Sequence, residues 1–208
     1  MGSPPLGMQT DLDVSRETFD RLCVYVELVK KWNPAINLVS ATTLNDIWTR
    51  HVMDSAAAFQ IAKTHKGLWV DIGTGGGFPG VVVAILAHEK APDLKLTCVE
   101  SDIRKAAFLS TVARTLKIPI GVLSRRIEEV KPQNAAIVSA RAVAALPKLL
   151  DYAHRHLAPN GRAIFLKGAS WQDEVAAARE TWNFDMEVHP SATPSGSVIL
   201  NIGDLSRA

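Results

Sequence analysis

The sequence predicts an α/β fold: a mostly parallel, doubly wound sheet with an N-terminal helical cap and a C-terminal antiparallel hairpin. Three observations carry this. From Leu68 onward, short continuous aliphatic runs alternate with segments of helical periodicity, the pattern of parallel strands covered on both faces. Before Leu68 only helical periodicity appears. After Phe184, two strand-like runs are joined by "PSATPSG" with no helix between them, which reads as a hairpin.

The elements follow in order. "MGSPPLGMQT" opens residues 1–14, read as a disordered tail. Phe19, Leu22, Cys23, Val26 and Val29 recur at helical spacing and predict a helix from Ser15 to Trp32, which Asn33-Pro34 is expected to break. Thr43 can cap a second helical stretch through Ile47 and Met53 to Ile61, with a break near Arg50-His51. Residues 15–66 thus form the cap and 67–208 the α/β domain. Its parallel strands are expected at Leu68–Ile72, Lys95–Glu100, Ile118–Leu123, Ala135–Ala140 and Arg162–Lys167. The helices are Pro79–His88, Asp102–Leu116, Ala145–His156 and Gln172–Thr181, and the hairpin strands are Phe184–His189 and Ser197–Ile202. Right-handed crossovers then leave a ligand crevice at the carboxyl ends of the first strands.

Composition bounds the rest. With 208 residues, 47% apolar and 21% charged, the chain has the make-up of an ordinary soluble globular protein. No run of about 18 apolar residues is present, so no membrane partner is expected. The N-terminus lacks the basic start and apolar stretch of a signal peptide. Cys23 and Cys98 sit inside apolar patterns with no CxxC motif, which predicts reduced thiols, a cytoplasmic protein and no metal site. No long exposed apolar stripe is evident, and a monomer is expected. The net charge of +2 neither demands nor excludes nucleic acid. Cations do concentrate in the second half, at Arg104, Lys105, Lys117, Arg125, Arg126, Lys131, Arg141, Lys148, Arg155, Arg162 and Lys167, which allows a basic face.

The chemistry begins at "WVDIGTGGGFPG". Gly75-x-Gly77-x-x-Gly80 fits a dinucleotide fingerprint, while Asp71-x-Gly73-x-Gly75-x-Gly77 fits the loop of methyltransferases that use S-adenosylmethionine. In the second geometry bare backbone lets the donor pass close over the loop, and Asp71 can orient its cationic amino-acid end. Glu100, ending the next strand, suits the two ribose hydroxyls of either ligand. Context favours the methyl donor: no second catalytic domain is present after the loop, and the sheet ends in a hairpin. A dinucleotide-dependent oxidoreductase, a methyltransferase for a small molecule or protein, and a module that binds the donor without turnover remain alternatives.

The residues after the fourth strand narrow the acceptor. "IVSARAVA" contains no Pro-Pro-aromatic motif of the kind used on exocyclic amines, and neither cysteine is placed as a nucleophile. Arg141 stands there instead, a permanent cation with a fork of donors. That suits an acceptor with a free lone pair, such as N7 of guanine, which needs no general base. Lys167, with Gly168, ends the fifth strand at the same crevice edge, either holding a phosphate or guanine O6 or extending to solvent.

"WNPAINLVSAT", "RHVMDS", "VDIGTGGGFPG", "VESDIRKAAFL", "SRRIEE", "VSARAVA" and "FLKG" occur in this order from about Phe19 to Gly168. In these motifs the chain resembles the RsmG family, also called glucose-inhibited division protein B (GidB). The resemblance implies a Rossmann-like class I S-adenosylmethionine-dependent methyltransferase that modifies N7 of one guanine in bacterial 16S rRNA, yielding S-adenosylhomocysteine. It further implies that Gly73, Phe78, Ile127, Glu128 and Arg141 contact the donor, with Ile127 and Glu128 flanking its adenine. Departures are small: Gly76 stands at a variable position, and "INLVS" replaces the commoner "INLTA". With no separate RNA-binding module, the expected partner is 16S rRNA within a small ribosomal subunit or an assembly intermediate. Arg50, His51 and Asp54, one turn apart, read as a polar clasp between cap and sheet, Trp32 as packing and Asn37 as a loop hydrogen bond.

Overall fold

The structure is a computed structural model that describes residues 7–192 and 196–208. Part of the expected tail and part of the hairpin linker therefore lie outside the described residues. Residues 8–14 depart from the expected tail. Met8–Leu12 form helix α1, and Met8 and Leu12, one turn apart, are buried in the core.

Helix α2 spans Arg16–Ile36, and the Ser15 hydroxyl caps it by accepting the Thr18 N–H at 3.2 Å. Leu22, Tyr25, Val26 and Val29 form its buried stripe. Full burial of each Leu or Val contributes about 1.5–3 kcal/mol, which docks the helix firmly. The break expected at Asn33-Pro34 does not occur. Pro34 lies in the last turn, where its missing N–H removes only one intrahelical bond, and buried Ile36 extends the helix to Asn37. Asn37 adopts φ 50°, its N–H bonding the Asn33 carbonyl, and Asn33 Oδ1 accepts the Val39 N–H at 2.9 Å to turn the chain. Helices α3 (Ala41–Leu44) and α4 (Asp54–Ala62) flank a π-helical segment, Trp48–Met53, at the place where a break near Arg50-His51 was expected.

The sheet comprises β1 (Lys66–Ile72), β2 (Asp93–Val99), β3 (Ile120–Leu123), β4 (Ala135–Arg141), β5 (Leu157–Lys167), β6 (Trp182–Pro190) and β7 (Val198–Arg207). Their order is β3-β2-β1-β4-β5-β7-β6. The first five run parallel; β7 is antiparallel to β5 and to β6. The strand order reverses between β1 and β4, so a crevice opens at their carboxyl ends.

Helices α5 (Gly80–Lys90), α6 (Ile103–Leu116), α7 (Leu146–His156) and α8 (Trp171–Arg179) cover both faces. One core joins α1, α2, α4, α5 and α6 to one side of the sheet; the other joins α7 and α8 to the opposite side. Helix α5 is buried on every side from Gly80 to Ala87, because the sheet lies under it and the cap over it. The change of texture near residue 66 is thus a change of architecture within one shared core, not a boundary between independent units.

Two strands run five residues further than expected. β5 starts at Leu157, paired with Ala135 ahead of a register shift, which "APNG" conceals. β7 continues to Arg207, whose guanidinium lies 3.9 Å from the ring of buried Trp182 opposite it.

Candidate functional site

The loop after β1 is built around a buried carboxylate. Asp71 is fully buried. Its Oδ1 accepts the Ser139 hydroxyl at 2.6 Å; its Oδ2 accepts the Gly80 N–H at 3.1 Å and a short hydrogen bond from Thr74 Oγ1. Burial raises its pKa to about 6, against the opposing effect of the Ser139, Thr74 and Gly80 hydrogen bonds. Ser139 in turn accepts the Trp69 indole N–H at 2.7 Å, so β1, β4 and the loop share one polar node. Asp71 therefore lies beneath the glycine loop, holding its shape, and not on the loop's open face. Tyr25 reaches from the cap to donate to the Gly76 carbonyl at 2.6 Å, and burial pushes its phenol well above the usual range.

Two loop glycines show what this shape requires. Gly77 has φ 100°, and a Cβ there would lie 2.5 Å from Val81 Cγ2 and 2.8 Å from the Tyr25 hydroxyl. Gly75 also has positive φ, 55°, but a Cβ there would meet nothing nearer than 3.7 Å within the protein. The space over Gly75 is open, as a ligand lying on bare backbone needs.

Glu100, 8% exposed just beyond β2, accepts the Gly75 N–H through Oε2 and the Asp102 N–H through Oε1, both at 2.8 Å. It thereby ties the second acidic strand end to the loop. The Asp102 side chain caps α6 by accepting the Arg104 and Lys105 N–H groups.

Three cavities run along the carboxyl edge. The first, of about 170 Å³, is lined by Gly73, Ser101, Arg125, Arg126, Ile127, Glu128 and Tyr152. Ile127 and Glu128 stand there on a 3-10 turn, Ile127–Glu129, and Glu128 accepts the Tyr152 hydroxyl at 2.5 Å, which lowers the pKa of its carboxyl. The second, of about 360 Å³, shares Gly73 and is lined further by Gly75, Phe78, His51, Lys105 and Arg141. The third, of about 310 Å³, shares Arg141 and Ala142 with the second and is lined further by Asp54, Lys167, Glu174, Ser191 and Ser197. The two larger volumes are those of small-molecule sites.

Arg141 marks the wall between the last two cavities. Its Nη1 donates to the Arg50 carbonyl at 2.7 Å. Burial lowers its pKa, while Asp54 acts in the opposite sense. A guanidinium keeps its charge in such a setting. His51 packs on Phe78 with the rings tilted and their centroids 4.8 Å apart, its Nε2 is 3.0 Å from Thr43 Oγ1, and burial beside Arg141 and Arg50 lowers its pKa to about 3. His51 is therefore neutral. Asp54 Oδ1 accepts the Ser191 hydroxyl at 2.6 Å and the Ala192 N–H at 2.8 Å. The Arg50 backbone carbonyl and the Asp54 side chain thus tie the cap to β4 and to the hairpin linker, while the His51 polar contact to Thr43 stays within the cap and its ring packs on Phe78. Trp32 packs on Phe108, and the Asn37 backbone N–H makes the bond that ends α2.

Lys167 does not extend to solvent. It is 9% exposed, pairs with Glu174 at 2.6 Å and donates to the Ala144 carbonyl at 3.1 Å. Gly73, Gly75, Phe78, Ile127, Glu128, Arg141 and Lys167 all line the row of cavities, and Glu100 touches it through Gly75. Gly77 and Asp71 shape the loop from behind. Sequence reasoning missed Tyr25, Thr74, Ser139 and Glu174. Tyr25 carried one signal, a hydroxyl inside an apolar helical stripe; Glu174 sits among other helix acids and carried none. Several of the cations in the second half are engaged within the protein: Arg162 is bonded to Asp185 and Asn201, Lys167 is buried, and Arg155 donates to the Val130 carbonyl. Among the described residues no group of three His, Cys, Asp or Glu side chains is placed to hold a metal ion, and no helix is long and apolar enough to cross a membrane.

The architecture is shared with solved methyltransferases. A putative class I S-adenosylmethionine-dependent methyltransferase from Listeria monocytogenes has a TM-score of 0.65 at 12% identity, over 92% of this chain and 69% of that one. The ribosomal protein L11 methylase of Lactobacillus delbrueckii subsp. bulgaricus has a TM-score of 0.58 at 18% identity, over 74% and 76%. These likenesses show the class I methyltransferase fold. Sequence goes further. The chain is 51% identical over 197 residues to the ribosomal RNA small subunit methyltransferase G of Ruegeria sp. (strain TM1040), over 95% of this chain and 96% of that protein. It is 50% identical over 198 residues to that of Paracoccus denitrificans (strain Pd 1222), over 95% and 100%. A family model described as rRNA small subunit methyltransferase G (GidB) matches residues 19–198. The oxidoreductase alternative left by the glycine pattern falls with that match, for the chain belongs to the rRNA small subunit methyltransferase G family.

Proposed function

We propose that this chain transfers a methyl group from S-adenosylmethionine to N7 of a guanine in 16S rRNA, presented by a small ribosomal subunit or an assembly intermediate. The observation that supports it best is the row of joined cavities over bare backbone at Gly73 and Gly75, with Glu100 at one side and Arg141 at the far wall. When bound, the donor would supply a sulfonium-activated methyl that an acceptor lone pair attacks in line, the S–CH3 electron pair leaving with S-adenosylhomocysteine. The protein's own part is chiefly alignment.

Ile127 and Glu128 offer an apolar wall and an acceptor for an adenine, and Glu100, whose oxygens accept the Gly75 and Asp102 N–H groups, holds the loop at the ribose side. No thiol is placed to attack: Cys98 is buried, and burial pushes its pKa up, while Cys23, on α2, lines none of the three cavities of the carboxyl edge. No base is needed either, because N7 of guanine is a bare acceptor. Arg141, at the wall between donor and acceptor cavities, supplies N–H donors that can align the base against the methyl group. Replacing Arg141 by alanine is expected to slow single-turnover transfer about 100-fold, the scale of losing one aligned donor. Donor binding measured by calorimetry should change far less.

The decisive experiment maps 7-methylguanosine in 16S rRNA from cells with and without the gene. One modified guanine should vanish on deletion and return on complementation. An unchanged map would remove the proposal. In vitro, small subunits from the deletion strain should accept methyl far faster than protein-free 16S rRNA, since a near-neutral protein has limited electrostatic grip on RNA alone.

A further inference from the structure

The cavity beyond Arg141 contains a donor set directly beside an acceptor, and the transfer step leaves that acceptor unused. Lys167 and Glu174 meet there at 2.6 Å. The Lys167 ammonium has three N–H groups; it donates one to the Ala144 carbonyl at 3.1 Å and is ion-paired with Glu174 Oε2 at 2.6 Å. Its remaining donor capacity is available to the cavity. Glu174 Oε2 is further engaged by the Leu146 N–H at 2.7 Å, whereas Oε1 has no hydrogen bond among the described residues. The pair is thus anchored at the end of β5 and the start of both α7 and α8, with a cationic donor and a free carboxylate oxygen side by side on the cavity. The other carboxylate there, Asp54, is committed through Oδ1 to Ser191 and Ala192 and acts electrostatically on Arg141, nearer the donor side.

We propose that Lys167 and Glu174 read the base to be methylated, Lys167 donating to O6 of guanine and Glu174 Oε1 accepting its N1–H. Guanine presents an acceptor next to a donor along this edge, and adenine presents the reverse. An adenine in the same pose would set its N6 amino group against the ammonium and its N1 lone pair against the carboxylate. Its own N7 is as bare as that of guanine, so N7 chemistry alone would not reject it. The pose leaves N7 on the side of Arg141, toward the cavity that holds the glycine loop. The inference rests on the proposed guanine transfer and assigns its base specificity to Glu174, a positioning and recognition residue.

The test uses the whole protein saturated with S-adenosylhomocysteine, which occupies the adenosine-type site and leaves the far cavity to the probe. Guanosine, inosine and adenosine 5′-monophosphates are titrated and followed by saturation-transfer NMR. Guanosine and inosine monophosphates, which share O6 and N1–H, should bind about tenfold or more tighter than adenosine monophosphate. In Glu174→Gln, the amide oxygen can keep Lys167 and the Leu146 N–H while its NH₂ opposes N1–H, so the preference should collapse to about twofold with S-adenosylhomocysteine affinity retained. A variant that keeps the preference overturns the assignment, as does a wild-type protein that binds the adenine and guanine probes alike. Should the variant fail to fold, 1-methylguanosine 5′-monophosphate decides on the wild type. Having no N1–H, it should bind no better than adenosine monophosphate, and binding equal to guanosine monophosphate refutes the pose. Base preference without any methyl transfer to rRNA would instead count against the proposed function and leave this assignment standing.

Discussion

Replacing Asp71 by alanine is expected to cost the fold about 3–5 kcal/mol, the largest loss among single changes at the site that leave the apolar core untouched. The carboxylate satisfies Ser139 Oγ, Thr74 Oγ1 and the Gly80 N–H in a place with no access to solvent. Each buried donor left without an acceptor costs about 1–3 kcal/mol, and the loop over it loses its template. For a chain of this size such a loss lowers the thermal midpoint by roughly 10 °C, measurable by calorimetry. The pH dependence has a definite sign. The native pKa of Asp71 is raised to about 6 from the ordinary 3.8, with burial as the main cause. Between those values the folded state holds a proton that the unfolded state has released. The contribution of Asp71 is therefore fully present below the unfolded value and is lost as pH rises through the folded one. The change amounts to about 3 kcal/mol, by the relation of one pKa unit to 1.36 kcal/mol. The Asp71→Asn variant cannot titrate. Its deficit relative to wild type should be greatest near about pH 4 and shrink toward about pH 7.5. A deficit that grows with pH over that range would show that hydrogen bonding, not burial, dominates the carboxylate.

The range of each interaction decides how much of it the sequence disclosed. The parallel strands and their helices were legible because a strand buried on both faces must be a continuous apolar run, as "LWVDI" and "AAIVSA" are. The glycine loop was legible because positive φ at Gly75 and Gly77 restricts residue choice locally. Asp71 stands out in the sequence as a key residue of the loop, but its direction does not. Only the pairing of β1 with β4 sets Ser139 beside it and turns the carboxylate inward. Pro34 misleads in the opposite way: its local rule is sound, yet the burial of Ile36 outweighs one lost hydrogen bond. Residues 8–14 have the composition of a tail, while Met8 and Leu12 meet a core that other elements supply. Glu174 was invisible because an acid in a first helical turn is ordinary; its contact with Lys167 comes from tertiary folding alone.

Replacing Gly75 by alanine is expected to abolish most donor binding while sparing the fold, and the two effects separate on geometry. At φ 55° an alanine pays about 1–2 kcal/mol of backbone strain. No protein atom lies within 3.4 Å of the added Cβ, the nearest being the Leu38 carbonyl oxygen at 3.7 Å, so no internal clash adds to that cost. The Gly75 N–H can keep its bond to Glu100, since the amide is unchanged. The methyl group instead enters the cavity of about 360 Å³ where a ligand would lie on the backbone. Affinity for S-adenosylhomocysteine, measured by calorimetry, should fall roughly 100-fold, equivalent to about 2.7 kcal/mol. The thermal midpoint without ligand should fall by only about 2–8 °C. Gly77→Ala makes the opposite control. Its Cβ meets Val81 and the Tyr25 hydroxyl inside the protein, so stability and binding should fall together. If Gly75→Ala bound donor as well as wild type, the backbone over Glu100 would not be the surface on which the donor lies, and the donor site would have to be sought elsewhere along the carboxyl edge.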